Sequence, residues 1–402
     1  MDGLKRSFQN SDPGSLCSVE HLYLHIPFCV RKCSYCAFVS QEFSEDGEKV
    51  FLEALEKEAS HIGKAGLKPK TIFLGGGTPS SLSKGGLERL LTLLAPFRHD
   101  GLEEFSIEAN PGSLDFDKAT LCFHGGINRI SLGVQSLDEQ ILKQLGRSHS
   151  AKQALQAFSL LREVGFQNIN LDIIFAVPGQ TLPAFKKTLA QFIQLKSEHL
   201  SCYELTYEEG TPLTRWAQET GFEADEFLSC KMYDALLENL EKAGFEQYEI
   251  SNFSQQGKAC QHNIAYWRGK EYYGAGPSAS SLLKGVRYTH TPSLKLYCQS
   301  MKRENSFQQN LKWSDWQEDA LSPLARAGEI AAIGLRMARG WKFEEFYKIT
   351  GYRLDKDWAD AMSKLCSRGE GEFFEGGFRL TSRGLRFADL AAEEFIITEY
   401  SK

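Results

Sequence analysis

Along the first 250 residues, short runs of alternating apolar and polar residues are interleaved with stretches whose apolar positions recur at helical spacing. His21–Ile26 (HLYLHI) places Leu22, Leu24 and Ile26 at period two, which predicts a strand. Residues 48–62 then set Phe51, Leu52, Leu55, Ala59 and Ile62 on one helix face. The pair recurs, with strands predicted over 71–74, 105–109, 128–132, 169–175 and 200–205. Helices fall between and after them, over 87–96, 116–122, 152–164, 182–195 and 226–243. Six strands, each followed by a helix, predict a parallel sheet with helices outside it.

The unusual residues stand just after strands. A cysteine loop follows the first, and Gly75-Gly76-Gly77-Thr78-Pro79 follows the second. Glu108 ends the third strand, Gln135 follows the fourth, Asp172 lies in the fifth and Glu204 near the end of the sixth. Strand C-termini carry the active sites of barrels, so six units feeding one face predict a curved, partial (β/α)6 barrel of TIM type rather than a flat sheet with one switch point. After residue 250 the composition shifts to Gly, Ser, His and aromatic residues without clear period, which predicts a connecting segment over 251–322. Helices return over 324–338, 341–349 and 355–366, with a strand-like pair around 372–380 and a last helix over 384–395. Residues 323–402 therefore read as a small, mainly helical domain resembling a winged helix, following a barrel core over 21–250.

Bulk properties narrow the class. A formal net charge of -6 argues against a broad electrostatic grip on nucleic acid. No run approaches the roughly 18 apolar residues of a membrane span. The polar stretch over 1–20 reads as a flexible lead without the apolar region of a secretion signal. Ten cysteines, three of them within eight residues, do not resemble a disulfide framework, and a reducing cytoplasm fits them.

Cys29, Cys33 and Cys36 have C-x3-C-x2-C spacing on a loop after a strand. Thiolates ligate iron–sulfur clusters, and three of them leave one iron of a 4Fe–4S cluster open for another ligand. A structural zinc site would want a fourth Cys or His, for which Cys17 and His25 are the candidates. Tyr23-Leu24-His25-Ile26-Pro27-Phe28 leading into this spacing resembles the radical S-adenosylmethionine (SAM) proteins related to oxygen-independent coproporphyrinogen III oxidase. The resemblance implies that SAM binds the open iron and that an electron from the cluster cleaves it to a 5′-deoxyadenosyl radical. It further implies SAM contacts at Tyr23, Gly76, Gly77, Thr78, Glu108, Gln135, Arg147 and Asp172. Asp172 stands out on its own as well, because a carboxylate inside an apolar run is expensive unless it is paired or bound.

The family has a decarboxylase branch and a heme-chaperone branch. The decarboxylases carry another cysteine two residues beyond the third ligand, where this chain has Phe38. His262-Asn263-Ile264-Ala265-Tyr266-Trp267 resembles the H-N-x-x-Y-W motif of the chaperone branch, which implies His262 as a heme ligand, with Cys260 as a possible second. Read alone, His262 is better explained as a buried histidine hydrogen-bonded in a loop; the motif's position and company are what favour heme. The resemblance also implies a heme-accepting protein and a reductant protein as partners. Three positions depart from the family pattern: Ala37 in place of Asp, no histidine near Ala279 at the end of the later glycine segment, and Phe175-Ala176-Val177-Pro178-Gly179 in place of Gly-Leu-Pro-Gly. The expectation is a heme-binding chaperone; a porphyrinogen decarboxylase and a radical SAM enzyme with another substrate are the alternatives.

Overall fold

The structure is a computed structural model that describes residues 15–302 and 313–397; most of the expected lead therefore lies outside the described residues. Six parallel strands form the body: β1 (His21–Ile26), β2 (Thr71–Gly76), β3 (Glu104–Ala109), β4 (Arg129–Gln135), β5 (Ile169–Phe175) and β6 (His199–Glu204). Three further short strands, β7 (Glu246–Glu249), β8 (Asn252–Ser254) and β9 (Tyr273–Ala275), extend it to nine, in the order β9-β1-β2-β3-β4-β5-β6-β8-β7. β9 pairs parallel to β1, and β8 runs antiparallel to β6. The edge strands β9 and β7 do not pair with each other, so this is a partial barrel of the TIM type.

Helices lie outside the strands because each has one apolar face and a polar stop at its start. In α1 (Glu45–Lys64), Phe51, Leu52, Leu55 and Ile62 are buried and Ser44 accepts from the Gly47 N–H as N-cap. In α2 (Ala151–Val164), Ser150 and Gln153 form a reciprocal capping box, and Gly165 ends the helix in the left-handed region. The apolar residues of the strands, such as Leu22, Leu24, Ile72, Leu74, Ile107, Ile130 and Leu171, point outward into one core shared with these helices. Each such side chain removed from water is worth about 1.5–3 kcal/mol. The opposite face of every strand points into the barrel, and there the residues are mostly polar: Tyr23, Glu108, Arg129, Ser131, Gln135, Asn170, Asp172 and Ser201. The barrel is thus filled with polar groups around a cavity instead of layers of branched apolar side chains.

Residues 251–302, expected as a connecting segment, pack into the barrel body. β9 extends the sheet, and Tyr273 and Tyr297 sit in the barrel's own core. The Glu58 carboxylate of α1 ties them down. It accepts from Tyr273 (2.9 Å), Tyr297 (2.6 Å), the Gly276 N–H (3.1 Å) and His290 Nε2 (3.0 Å), while His290 Nδ1 meets Asp315 at 3.0 Å. These elements gave no periodic signal because the strands are three or four residues long and rich in glycine and polar residues. Past residue 322, a separate core forms around Trp341, Phe346, Trp358, Leu365 and Phe378. Its helices α3 (Pro323–Gly334), α4 (Phe343–Thr350) and α5 (Ala359–Ser367) pack with a three-stranded antiparallel sheet of Trp341–Lys342, Gly377–Leu380 and Gly371–Phe374. That is the winged-helix arrangement.

Candidate cofactor cavity

The cysteine loop leaves β1 at Pro27 and is held at several points. Phe28–Cys29 pairs parallel with Gln41–Glu42, closing the loop on itself. Ser34 is tied to the barrel by its N–H to the Leu145 carbonyl (3.3 Å) and by its hydroxyl to the Gln144 carbonyl (3.2 Å). Cys29, Cys33 and Cys36 are all free and half-buried at the mouth of the barrel. Thr78 Oγ1 is 3.5 Å from Cys29 Sγ, and Arg147 Nη1 donates to Cys33 Sγ at 3.3 Å.

Among the described residues, no three His, Cys, Asp or Glu side chains converge on one point as a single metal ion would require. A 4Fe–4S cluster places its cysteines on different irons, so three spread thiols suit it and do not suit zinc. Neither zinc alternate joins the loop. Cys17 packs on Gly66, at the other end of β1, and both His25 nitrogens are engaged, by the Tyr23 hydroxyl (3.2 Å) and the Val39 carbonyl (2.8 Å).

Below the cysteines lies a cavity of about 580 Å³, and the eight residues expected to contact SAM all line it: Tyr23, Gly76, Gly77, Thr78, Glu108, Gln135, Arg147 and Asp172. The glycines have a packing reason of their own. A Cβ on Gly77 would stand 2.5 Å from the Phe28 carbonyl oxygen, so the loop after β2 presses directly on the cysteine loop. Gln135, a non-glycine residue at φ +68°, turns the chain in the left-handed region at the end of β4. Such strain concentrates at sites that position ligands. Arg147 is divided between Cys33, the Gly133 carbonyl (2.6 Å) and the Asn110 side chain, so it braces the cysteine loop as well as facing the cavity.

Electrostatics favour a cation here. Burial pushes Glu108 up to about 8, and the neighbouring Asp172 adds to the shift, against relief from the Gly76 N–H and Arg129. Burial also raises Asp172, although Asn170, Arg129 and Ser201 hold it back. Two desolvated carboxyls in one cavity want a positive partner. SAM carries an ammonium and a sulfonium, so the donor set fits it.

The floor of the cavity comes from an unforeseen short helix, Gln261–Trp267, which enters the barrel at the N-terminal ends of the strands. Glu104 caps it, accepting from the N–H groups of Gln261 (2.8 Å) and His262 (3.3 Å) and from Cys260 Sγ (3.3 Å). His262 is 1% exposed. Its Nδ1 is 2.7 Å from Thr71 Oγ1, its Nε2 is 2.9 Å from the Tyr266 hydroxyl, and its ring stacks on Phe73. Burial drives its pKa well down, so the ring is neutral. This differs from the open axial ligand expected from the motif: in this arrangement neither nitrogen faces outward to an iron, and the Cys260 thiol is spent on Glu104. The sequence reading passed over Arg129, Ser131, Asn170 and Ser201, which line the same cavity. The signal was there in the polar members of RISLGVQ, INLDIIF and HLSCYE, spaced two apart.

Comparison with known proteins agrees with this geometry. A family model described as the radical SAM superfamily matches residues 23–192. The chain is 33% identical to the heme chaperone HemW of Lactococcus lactis subsp. lactis (strain IL1403), over 94% of this chain and 97% of that one. It is also 33% identical to HemW of Bacillus subtilis (strain 168), over 90% and 95% of the two chains. The solved structure of coproporphyrinogen III oxidase (HemN) from Escherichia coli superposes with a TM-score of 0.77 over 94% of this chain and 90% of that one, at 22% identity, a likeness of fold. Sequence identity sustained over nearly the full length of the HemW chains, on a barrel whose mouth carries three cysteines above a polar cavity, places the protein in the radical SAM family of the heme chaperone HemW.

Proposed function

We propose that the protein is a heme chaperone: it holds a 4Fe–4S cluster on Cys29, Cys33 and Cys36 with SAM in the cavity beneath, binds heme and delivers it to an acceptor protein. A separate reductant protein supplies the cluster's electron, and the setting is the cytoplasm. The observation that carries the reading is Phe38. It stands two residues past Cys36, where the decarboxylase branch has another cysteine, and is 70% exposed beside the cavity mouth. An aromatic face suits a porphyrin ring.

The bound cluster would supply one-electron chemistry at the SAM sulfonium. The chain's own part is to hold and shield. Arg147 fixes Cys33, Glu108 exchanges a proton for the ligand's positive charge, and His262, Asn263 and Tyr266 of the floor helix close the cavity below. Among the described residues no helix is long and apolar enough to cross a membrane, which is compatible with that setting.

The test is anaerobic. Protein with a reconstituted cluster is titrated with heme, and a parallel sample receives coproporphyrinogen III, SAM and reductant. A stoichiometric Soret band, transfer of that heme to an apoprotein and no decarboxylated product are expected. Decarboxylated product with no retained heme would replace this reading with an oxidase.

A further inference from the structure

Arg129, the first residue of β4, is among the largest side chains buried in the molecule, with 2% of its surface exposed. It points into the barrel and lines the cavity floor with Asn170 and His262. Among the described residues its guanidinium has no ion pair and no hydrogen bond, and Nε is buried without any partner. The acids within electrostatic reach are committed elsewhere. Glu104 is spent on the N-terminus of the floor helix and on the Ser106 hydroxyl, while Asp172 accepts from Asn170 (2.7 Å) and Ser131 (3.4 Å). Glu108 is pushed towards its neutral form. These acids balance the Arg129 charge through space and raise its pKa, but none of them accepts a hydrogen bond from the guanidinium, and buried N–H donors without an acceptor are costly.

We propose that Arg129 is a carboxylate receptor at the cavity floor, which takes an acid group of the ligand that fills the barrel. A guanidinium presents two parallel N–H donors that match a carboxylate, and the cavity leads down to it from the mouth. The choice of ligand rests on the heme-and-SAM reading above. Heme brings two propionates and SAM one carboxylate, and either group has the required chemistry.

The experiment uses matched ligands that differ only in that group: heme against its dimethyl ester, and SAM against decarboxylated SAM. Affinities are measured for the cluster-loaded protein and for Arg129→Gln and Arg129→Lys. The unaltered protein prefers the acid form, and Arg129→Gln removes about 10- to 100-fold of that preference while leaving the ester or decarboxylated form unchanged. Loss confined to the heme pair assigns the site to a propionate; loss confined to the SAM pair assigns it to the SAM carboxylate. Should Arg129→Gln not fold, Arg129→Lys, which keeps the charge and loses the fork, weakens the acid form selectively. Equal weakening of acid and acid-free forms, or no change in either pair, overturns the proposal. A protein that binds no heme would refute the chaperone reading, yet the SAM pair would still decide the role of Arg129.

Discussion

Glu108 sits at the end of β3 with burial and Asp172 both working against its charge, and its pKa is raised from 4.5 to about 8. Near neutral pH in the empty cavity it is therefore largely protonated. An incoming ammonium favours the ionised form, so binding below pH 8 must expel a proton. SAM affinity is predicted to rise by up to about tenfold per pH unit towards pH 8 and then level off. Calorimetry in buffers of different ionisation enthalpy would count that proton, and a flat profile would exclude Glu108 from the contact. Glu108→Gln is predicted to remove the slope and weaken SAM at the higher pH. For folding the sign is opposite: an acid with a raised pKa withdraws stability as pH climbs from about 4.5 to 8, so the Glu108 contribution is fully present at the acid end of that window and is lost towards pH 8. At the cysteines, replacing Cys29, Cys33 or Cys36 with Ala is predicted to abolish the cluster. Full iron and sulfide content in any of the three variants would remove that residue from the ligand set.

At the scale of elements, two contacts hold the working loops. Gly77 lets the loop after β2 lie against the cysteine loop, and a methyl group there meets the Phe28 carbonyl at 2.5 Å. Gly77→Ala is predicted to displace the cysteine loop and lower iron occupancy while far-UV circular dichroism stays unchanged; full occupancy would show that the loop adapts. The second contact is the buried Glu58–His290–Asp315 chain that fastens β9 and its neighbours to α1. Burial works against the His290 charge, but Glu58 and Asp315 outweigh it and raise the pKa to about 9. That contribution is fully present below about pH 6.5 and is lost as pH rises through about 9. Glu58→Gln leaves His290 with Asp315 alone and gives the Tyr273 and Tyr297 hydroxyls a weaker, uncharged acceptor, so it should cost about 1–3 kcal/mol in denaturant unfolding. The barrel units were legible because their strands alternate and their helices carry capped apolar faces, as in His21–Ile26 and the Ser150 helix. The floor helix, β7, β8 and β9 were not legible. Their three to seven residues give no period, and what fixes them is distant partners such as Glu104 and Glu58.

On the scale of the whole molecule, two hydrophobic cores meet along a polar seam. Arg268, just past the floor helix, stacks on Trp341 and donates to the Gly340 carbonyl at 2.8 Å, while Ala338 N–H pairs with the Tyr248 carbonyl at 3.0 Å. Arg268→Ala is predicted to loosen the winged-helix unit at a cost of about 1–3 kcal/mol, seen as earlier proteolytic release of residues 323–402. An unchanged proteolysis pattern would place the docking energy elsewhere on the seam. Among the cavity residues, the cysteines stood out by spacing, and the eight residues expected from family resemblance do line the cavity. The polar floor was not, because Arg129 and Asn170 look ordinary until the strands set them side by side. In the proposed function the barrel holds a three-cysteine cluster whose open iron faces a cavity that takes SAM. Electron paramagnetic resonance of the reduced, reconstituted protein, recorded with and without SAM, tests it most directly. A 4Fe–4S signal whose g-values shift when SAM is added is expected. A signal indifferent to SAM would mean that the fourth iron site is closed, and would contradict it.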